Sequence, residues 1–175
     1  MNWILLDLAV HKRQSFGGDC CVAPADADQT FSGKIPSLMK GVYKNASPML
    51  AARFSRYGRW AHATHGHWLS VADMETLWQD DIQDAFLDQI KFQAECLKTD
   101  WDNNAFGLFR EDRLSLFAGS DMGNEAIFLL WLDGYDEPEL WVYDANGESR
   151  YANLEAYLAA YLADDVSAAN VSWRL

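Results

Sequence analysis

The sequence predicts an α+β domain: a twisted, mainly antiparallel sheet with helices packed on it. The first observation is a succession of three apolar runs in the C-terminal half, each of strand length and set off by polar breaks. The second is the stretch after them, whose apolar residues recur at helical spacing. We therefore expect a sheet that the last helix covers. The runs are 114–118, 126–132 and 140–143, and the breaks contain Gly123, Gly134 and Asn146-Gly147.

The chain is long enough and apolar enough for one domain with a sizeable core. It has 175 residues, of which 50% are hydrophobic, and a chain of this size buries roughly 70% of its surface on folding. It contains no internal repeat and no low-complexity tract, so we expect a single domain over residues 1–175. Residues 14–34 are expected to form a loop, and residues 101–164 to hold the C-terminal sheet and helix.

The first part of the chain is expected to begin with a strand and continue with two short helices. The apolar residues 1–10 predict the strand. A proline opens the stretch 36–43, where it suits the first turn of a helix. Ser47 and Pro48 suit the N-cap and first position of the next helix, which should stop at Gly58.

The middle of the chain predicts a hairpin followed by two helices. The stretch 58–69, with Trp60 and Trp68, is typical of a strand or hairpin arm. Ser70 begins a capping-box variant that opens a short helix towards Trp78. Residues 81–98 have the clearest helical periodicity, with an apolar face and an acidic face. The apolar face comprises Ile82, Phe86, Ile90, Ala94 and Leu97, and the acidic face Asp80, Asp84, Asp88 and Glu95.

The chain is expected to end in a helix and a short edge strand. Asn153 suits the N-cap of the helix. The alternation of Val171, Trp173 and Leu175 is typical of a strand. The apolar stripe of the helix, which should close over the sheet, comprises Leu154, Tyr157, Leu158, Tyr161 and Leu162.

The net charge of −12 is distributed unevenly along the chain. Residues 1–70 carry eight Lys and Arg against four acids, whereas the remainder carries six against 22. An acidic half repels nucleic acid and attracts basic partners, so we expect a basic protein partner and no nucleic acid. The alternative is that the negative charge serves solubility alone. The uneven distribution of charge along the chain favours a binding face.

Two acidic groups are the candidate partner-binding residues. By default both are solvated surface, and the functional hypothesis joins them into one surface that contacts Arg and Lys of a partner. An exposed aromatic residue in the second group, Tyr135, would be the anchor. The first group lies on the polar side of the 81–98 helix and comprises Asp80, Asp84 and Asp88. The second lies between two strands and comprises Asp133, Tyr135, Asp136, Glu137 and Glu139.

The remaining reactive side chains do not form a recognisable catalytic set, so we expect no catalytic residue, no metal and no cofactor. His62, His65 and His67 could together ligate zinc, and the last two would share one face of a strand, which leaves a metal-dependent enzyme as an alternative. Their spacing is not the i, i+4 pair of a helical zinc protease, and no Glu lies within the motif to act as a base. Cys96 lies near the apolar face of its helix and is expected to be a buried thiol.

The cysteine usage predicts a reducing compartment. Three cysteines are present, and two of them, Cys20 and Cys21, are neighbours that form a disulfide only with strain. No run approaches the ~20 apolar residues that a membrane helix needs. The first ten residues have no basic segment before their apolar run, unlike a signal peptide. We therefore expect a cytoplasmic protein that does not act on a membrane.

The C-terminal third resembles the SUKH superfamily, the Smi/Knr-like proteins. The resemblance is carried by the Phe117-Ala118 step at the end of a strand, by the polar turn 120–123 and by Ala152-Asn153-Leu154 at a helix start. Upstream, Ile35-Pro36 and the segment 68–71 are similar to further family features, whereas the Asn-Gly-Gly common after the first helix is missing.

The resemblance implies a protein-binding function. Many bacterial members of the superfamily are immunity proteins that bind and neutralise a toxin domain, often a nuclease, and others are regulators or scaffolds. We therefore expect a non-catalytic bacterial immunity protein that occludes a cognate toxin through an acidic surface. The alternative is a regulatory or scaffolding module without a toxin. The sequence does not predict the oligomeric state.

Overall fold

The fold is α+β, as expected, in a computed structural model that describes residues 3–17, 21–24, 31–100, 110–123, 125–145 and 147–165. These residues form five α-helices, a seven-stranded antiparallel sheet and a small two-stranded sheet. The helices are α1 (Trp3–Ser15), α2 (Pro48–Arg56), α3 (Val71–Thr76), α4 (Ala85–Asp100) and α5 (Leu154–Ala163). The strands are β1 (Cys21–Pro24), β2 (Lys34–Pro36), β3 (Tyr43–Asn45), β4 (Tyr57–Ala61), β5 (His67–Trp68), β6 (Leu114–Gly119), β7 (Ala126–Leu130), β8 (Glu139–Asp144) and β9 (Gly147–Tyr151).

The large sheet follows the chain closely. Its order is β1-β4-β5-β6-β7-β8-β9, and β2 pairs with β3 in the small sheet. Strands β6 to β9 are joined by short connections into consecutive antiparallel hairpins. A bulge between Leu116 and Ala118 shifts the register of β6 against β7. Strands β6 and β7 are buried at every position, which places the core at the centre of the sheet.

Helices cover both faces of this sheet. Helix α4 packs against β6 so closely that a Cβ on Gly119 would lie 2.8 Å from a side-chain carbon of Ile90. On α5, Tyr157 is buried against Tyr151 of β9, with ring centroids 5.1 Å apart. Helix α1 packs against α5, where Lys12 donates to the carbonyl oxygen of Tyr161 at 2.8 Å.

Local capping signals were good predictors of helix starts. Ser47 caps α2 and accepts from the Leu50 amide. Ser70 and Asp73 form a complete capping box at the start of α3. Asn153 caps α5 and accepts from the Ala156 amide. Each cap satisfies backbone N–H groups that have no partner inside the helix, so its effect depends on a few neighbouring residues only.

Two predictions for the first part of the chain are wrong. The segment predicted as a first strand is α1, because Leu6, Ala9 and Val10 are buried at helical spacing. The stretch 36–43 is a hairpin rather than a helix. Gly41 supplies the left-handed residue of its turn at φ +82°, and the amide of Val42 donates to the carbonyl of Met39.

Further differences concern strands and one helix boundary. The predicted loop 14–34 contains β1, and the polar segment after β8 is an additional strand, β9. Helix α4 begins at Ala85 and not at residue 81, because the side chain of Asp84 accepts from the amides of Phe86 and Leu87. The prediction of a buried thiol at position 96 is also wrong, since Cys96 is exposed. The predicted edge strand at 171–175 lies outside the described residues.

Candidate partner-binding surface

Three aspartates lie at the start of α4, and the structure uses one of them for folding. Asp80 and Asp81 are exposed, and in the described part of the chain their side chains have no ion pair or hydrogen bond. Asp84 caps the helix and also accepts from Arg59 at 3.3 Å. Asp80 and Asp81 are therefore available to a partner, whereas Asp84 is partly engaged.

The outer side of α4 continues this acidic surface. Asp88, Phe92 and Glu95 are exposed and follow one another at spacings of four and three residues, which places them on the same side of the helix. Phe92 is 62% exposed, an unusual position for a large apolar ring. We call this surface the α4 acidic face; it comprises Asp80, Asp81, Asp84, Asp88, Phe92 and Glu95.

A pocket of about 250 Å³ borders the α4 acidic face. It lies between α3, α4 and the turn that joins β2 to β3. The apolar part of its lining comprises Pro36, Leu38, Met74, Leu77, Trp78, Ala94 and Leu116. The polar part comprises Ser37, Lys40, Asp80, Lys91, Glu95 and Glu111. The pocket thus combines an apolar lining with three carboxylates and two ammonium groups.

The second predicted acidic group is only partly a free surface. Asp136 and Tyr135 are exposed, and Tyr135 is 53% exposed. Asp133 forms an ion pair with Arg113. Glu137 is half-buried and accepts from the Met49 amide at 3.3 Å, at the start of α2. Glu137 therefore holds the loop against a helix rather than projecting towards a partner.

The prediction that Glu139 lies in a solvated turn is wrong. It is the first residue of β8 and is 4% exposed. Its Oε2 lies 3.5 Å from Nη2 of Arg150 on β9, which is 3% exposed, and it also accepts from Trp141 Nε1 at 3.3 Å. The sequence analysis did not recognise β9, so it did not place Arg150 in the sheet. Without that buried cation, Glu139 was predicted to lie in solvent.

The elements that carry the two acidic groups both contact the β6–β7 hairpin. Gln93 of α4 packs against Gly123 in the turn between these strands, 2.7 Å from where a Cβ would lie. Asp133, by contrast, pairs with Arg113, which immediately precedes β6. Asp80 and Glu95 of the α4 acidic face share a pocket with Glu111, which also lies just before β6, so the expectation that the two groups join stays a prediction.

The basic residues of the first third are largely engaged inside the fold. Arg59 donates to Asp73 through Nε at 3.0 Å and through Nη2 at 2.5 Å. Arg56 pairs with Asp7 at 2.8 Å. Burial acts to raise the pKa of Asp73, but hydrogen bonds from Arg59 and Ser70 outweigh it and hold that pKa below its ordinary value. These two cations pair with Asp73 and Asp7, and within the described residues Arg59 reaches the α4 acidic face at Asp84 alone.

The three histidines do not converge on one point. His65 Nδ1 lies 2.6 Å from the hydroxyl of Tyr157 on α5. His67 instead packs against His62, with ring centroids 4.4 Å apart, and against Phe86 of α4. The expectation that His65 and His67 share one face is therefore wrong. Within the described residues, no group of three or more His, Cys, Asp or Glu could hold a metal ion.

The His62–His67 pair borders a second, more open pocket of about 610 Å³. His67 Nδ1 accepts from the backbone amide of His62 at 3.4 Å. Burial, reinforced by the neighbouring His62, lowers the pKa of His67 below its ordinary value. Its surroundings thus favour the neutral form of His67, and the two packed rings close the β4–β5 hairpin.

Sequence reasoning missed the exposed aromatic ring of the α4 acidic face. Phe92 was not singled out, because the ring falls between the apolar and acidic faces of a helix whose start was placed four residues early. Glu95 was recognised on the acidic face but not included among the candidate residues. The signal available in the sequence was the i, i+4 step from Asp88 to Phe92 and the i, i+3 step to Glu95.

Comparisons with protein-family models, with curated proteins and with solved structures find no significant match to this chain. The resemblance to the SUKH superfamily therefore stays a prediction. No helix in the described ranges is both long and apolar enough to cross a membrane.

Proposed function

We propose that this chain is a non-catalytic bacterial immunity protein, which binds a basic toxin domain through the α4 acidic face and occludes it. The observation that supports this most strongly is the exposed ring of Phe92 between the carboxylates of Asp88 and Glu95. A protein interface of this kind commonly has a central aromatic anchor and a charged rim. The resemblance of the C-terminal third to immunity proteins supplies the toxin as the partner.

The charge distribution supports a basic partner. Carboxylates on one surface attract a partner of opposite charge and raise the rate of encounter, and they disfavour acidic competitors. A nuclease toxin needs a basic cleft for its substrate, so an acidic face can occupy that cleft. The cysteine usage, with two neighbouring cysteines that form a disulfide only with strain, supports our placing of the protein in the cytoplasm.

The test uses the product of the gene adjoining that of this chain, co-expressed and purified with it at low and at high salt. The expected result is a stoichiometric complex that weakens as salt rises and in which the toxic activity of the partner is lost. A complex between the two proteins in which the partner has no toxic activity would instead favour the scaffolding alternative.

Single variants then locate the surface. Asp88→Lys and Phe92→Ala should each weaken the complex at least tenfold. The matched controls are Glu155→Lys, an exposed carboxylate on α5, and Met122→Ala, which removes an even more exposed apolar side chain. Both controls should bind like the wild type. Equal affinities of Asp88→Lys and Glu155→Lys would contradict the proposed surface.

A further inference from the structure

We infer that the pocket beside α4 is a receptor for one arginine side chain of the basic partner. The inference rests on the proposed function and adds the identity of the partner's anchoring residue. The relevant pocket is the one of about 250 Å³ whose lining includes Asp80 and Glu95 of the α4 acidic face.

The lining suits the stem of a long side chain. Leu77, Met74 and Leu116 provide apolar surface, and Trp78 adds an aromatic ring. The ring of Trp78 is held in place, because its Nε1 donates to the carbonyl oxygen of Ser37 at 2.8 Å and because it makes a T-shaped contact with the ring of Tyr43. The methylene groups of arginine pack on such apolar surface while the charged end stays near solvent.

The carboxylates suit the head of that side chain. Among the described residues, the side chains of Asp80 and Glu95 have neither an ion pair nor a hydrogen bond, and Glu111 also lines the pocket. Of the two ammonium groups, that of Lys91 is turned to the carbonyl oxygen of Gln79, to which it donates at 2.7 Å. A guanidinium can bind two carboxylate oxygens at once and stack on an indole ring.

Lys40 allows a test in which a substitution should strengthen arginine binding rather than weaken it. It is exposed, it lines the same pocket, and no hydrogen bond or ion pair of its side chain is found in the described part of the chain. Its ammonium group therefore opposes the entry of another cation. Removal of Lys40 should strengthen arginine binding, an effect that a damaged fold would not produce.

The probes are three synthetic peptides of equal net charge: Ac-Lys-Gly-Arg-Gly-Lys-amide and versions with leucine or serine at the centre and one further lysine at the end. Binding to the whole ¹⁵N-labelled chain is followed by NMR. The arginine peptide should bind most tightly and should shift the indole N–H of Trp78 and the amides of Leu77 and Ala94.

Variants then test the assigned contacts. Glu95→Gln should weaken arginine-peptide binding by about two- to fivefold, the range expected for an exposed ion pair. Lys40→Gln should strengthen binding by a similar factor. Glu155→Gln, which removes an exposed carboxylate elsewhere, should change it little.

Three outcomes would overturn the inference. Tightest binding of the leucine peptide would make the anchor apolar. Equal binding of all three peptides, with shifts spread along α4, would show charge attraction without a receptor pocket. No binding of any peptide would exclude the arginine receptor. None of these decides the proposed function, which fails separately if Asp88→Lys and Phe92→Ala leave the partner complex unchanged.

Discussion

The guanidinium of Arg53 donates to the carbonyl oxygen of Leu69 at 3.1 Å and thereby joins α2 to the segment between β5 and α3. Arg53 is 1% exposed, and it also donates to the carbonyl oxygens of Tyr57 and Gly58. The guanidinium carbon of Arg53 also lies 5.6 Å from the centre of the aromatic ring of Phe117. Burial lowers the pKa of Arg53 to about 9. The core thus contains a cation whose hydrogen bonds go to backbone carbonyls rather than to a carboxylate.

Arg53→Lys should lower the free energy of unfolding by about 2–4 kcal/mol, since an ammonium group cannot reach three carbonyl oxygens and each buried acceptor left unsatisfied costs about 1–3 kcal/mol. Urea denaturation at pH 7 measures the change. Arg56→Lys is the control, because Arg56 forms an exposed pair with Asp7, and its loss should stay below about 1 kcal/mol. Equal losses in the two variants would contradict the assigned role.

Gly66→Ala should destabilise the fold more than Gly41→Ala. Both glycines have positive φ, so either substitution should cost about 1–2 kcal/mol in backbone strain. A Cβ on Gly66 would in addition lie 2.4 Å from the carbonyl oxygen of Gly119, whereas the one on Gly41 meets nothing within 4 Å. Thermal unfolding of the two variants compares them directly, and a smaller loss for Gly66→Ala would refute the close approach of β6 to this turn.

Alkaline pH should destabilise the protein through Tyr157. Burial raises the pKa of Tyr157 well above its ordinary value, and the hydroxyl donates to Thr64. The unfolded chain releases this proton near pH 10 while the folded chain retains it, so the stability due to Tyr157 is present below pH 10 and lost as pH rises further.

The loss approaches about 1.4 kcal/mol per pH unit for one such group. Melting temperatures between pH 8 and pH 11 test this against Tyr157→Phe. The stability advantage of the wild type over this variant should shrink above pH 10. An advantage that does not change with pH would show that Tyr157 ionises in the folded protein as it does in the unfolded chain.

Acidic pH should also destabilise the fold, through His67. Burial first, and then the neighbouring His62, lower the pKa of this imidazole; Arg59 also lowers it, and Asp121 and Glu125 oppose the shift. The unfolded chain therefore takes up this proton at a higher pH than the folded chain, and stability falls as pH drops below about 6.5.

His67→Gln should reduce this acid sensitivity. The control is His11→Gln, which removes an exposed histidine of α1 and should leave the pH profile unchanged. Melting temperatures between pH 5 and pH 7.5 give the comparison. The same acid-induced loss in His67→Gln and in the wild type would exclude His67 as its source.

Arg150→Met should destabilise the protein by about 3–5 kcal/mol, because it leaves the buried carboxylate of Glu139 without its cation. The double variant Glu139→Leu/Arg150→Met should recover part of this loss, since no buried charge remains. Urea denaturation of the single and double variants measures the coupling. Strictly additive losses would mean that the two side chains do not act as a pair.

The parts of the fold predicted correctly depend on local physical chemistry. The caps at Ser47, Ser70 and Asn153 act within one helical turn, and the three apolar runs of the C-terminal half became β6, β7 and β8. The misassigned parts depend on distant neighbours. Strand β9 has a polar sequence, and it is a strand because it pairs with β8 along its length.

In the candidate site, too, the features set by neighbouring residues were predicted correctly and those set by distant residues were not. Asp88 is exposed as predicted, because the spacing of apolar and acidic residues along α4 determines which side of the helix faces solvent. Asp80 is exposed as well, in the segment before the helix. Glu139 was misplaced because its buried position depends on Arg150, eleven residues away on another strand. The pocket beside α4 could not be predicted from local pattern, since it is formed by segments as distant as Leu38 and Leu116.

The near-sequential order of the strands has a consequence for how the molecule assembles. Strands β6 to β9 meet through short loops, whose closure costs little conformational entropy, so this meander can form early. Helix α1 must instead find α5, as shown by Lys12 and Tyr161, which are 149 residues apart in the chain. We therefore expect α1 to dock last and to open first, and its amides to exchange with solvent deuterium well before those of the central hairpin.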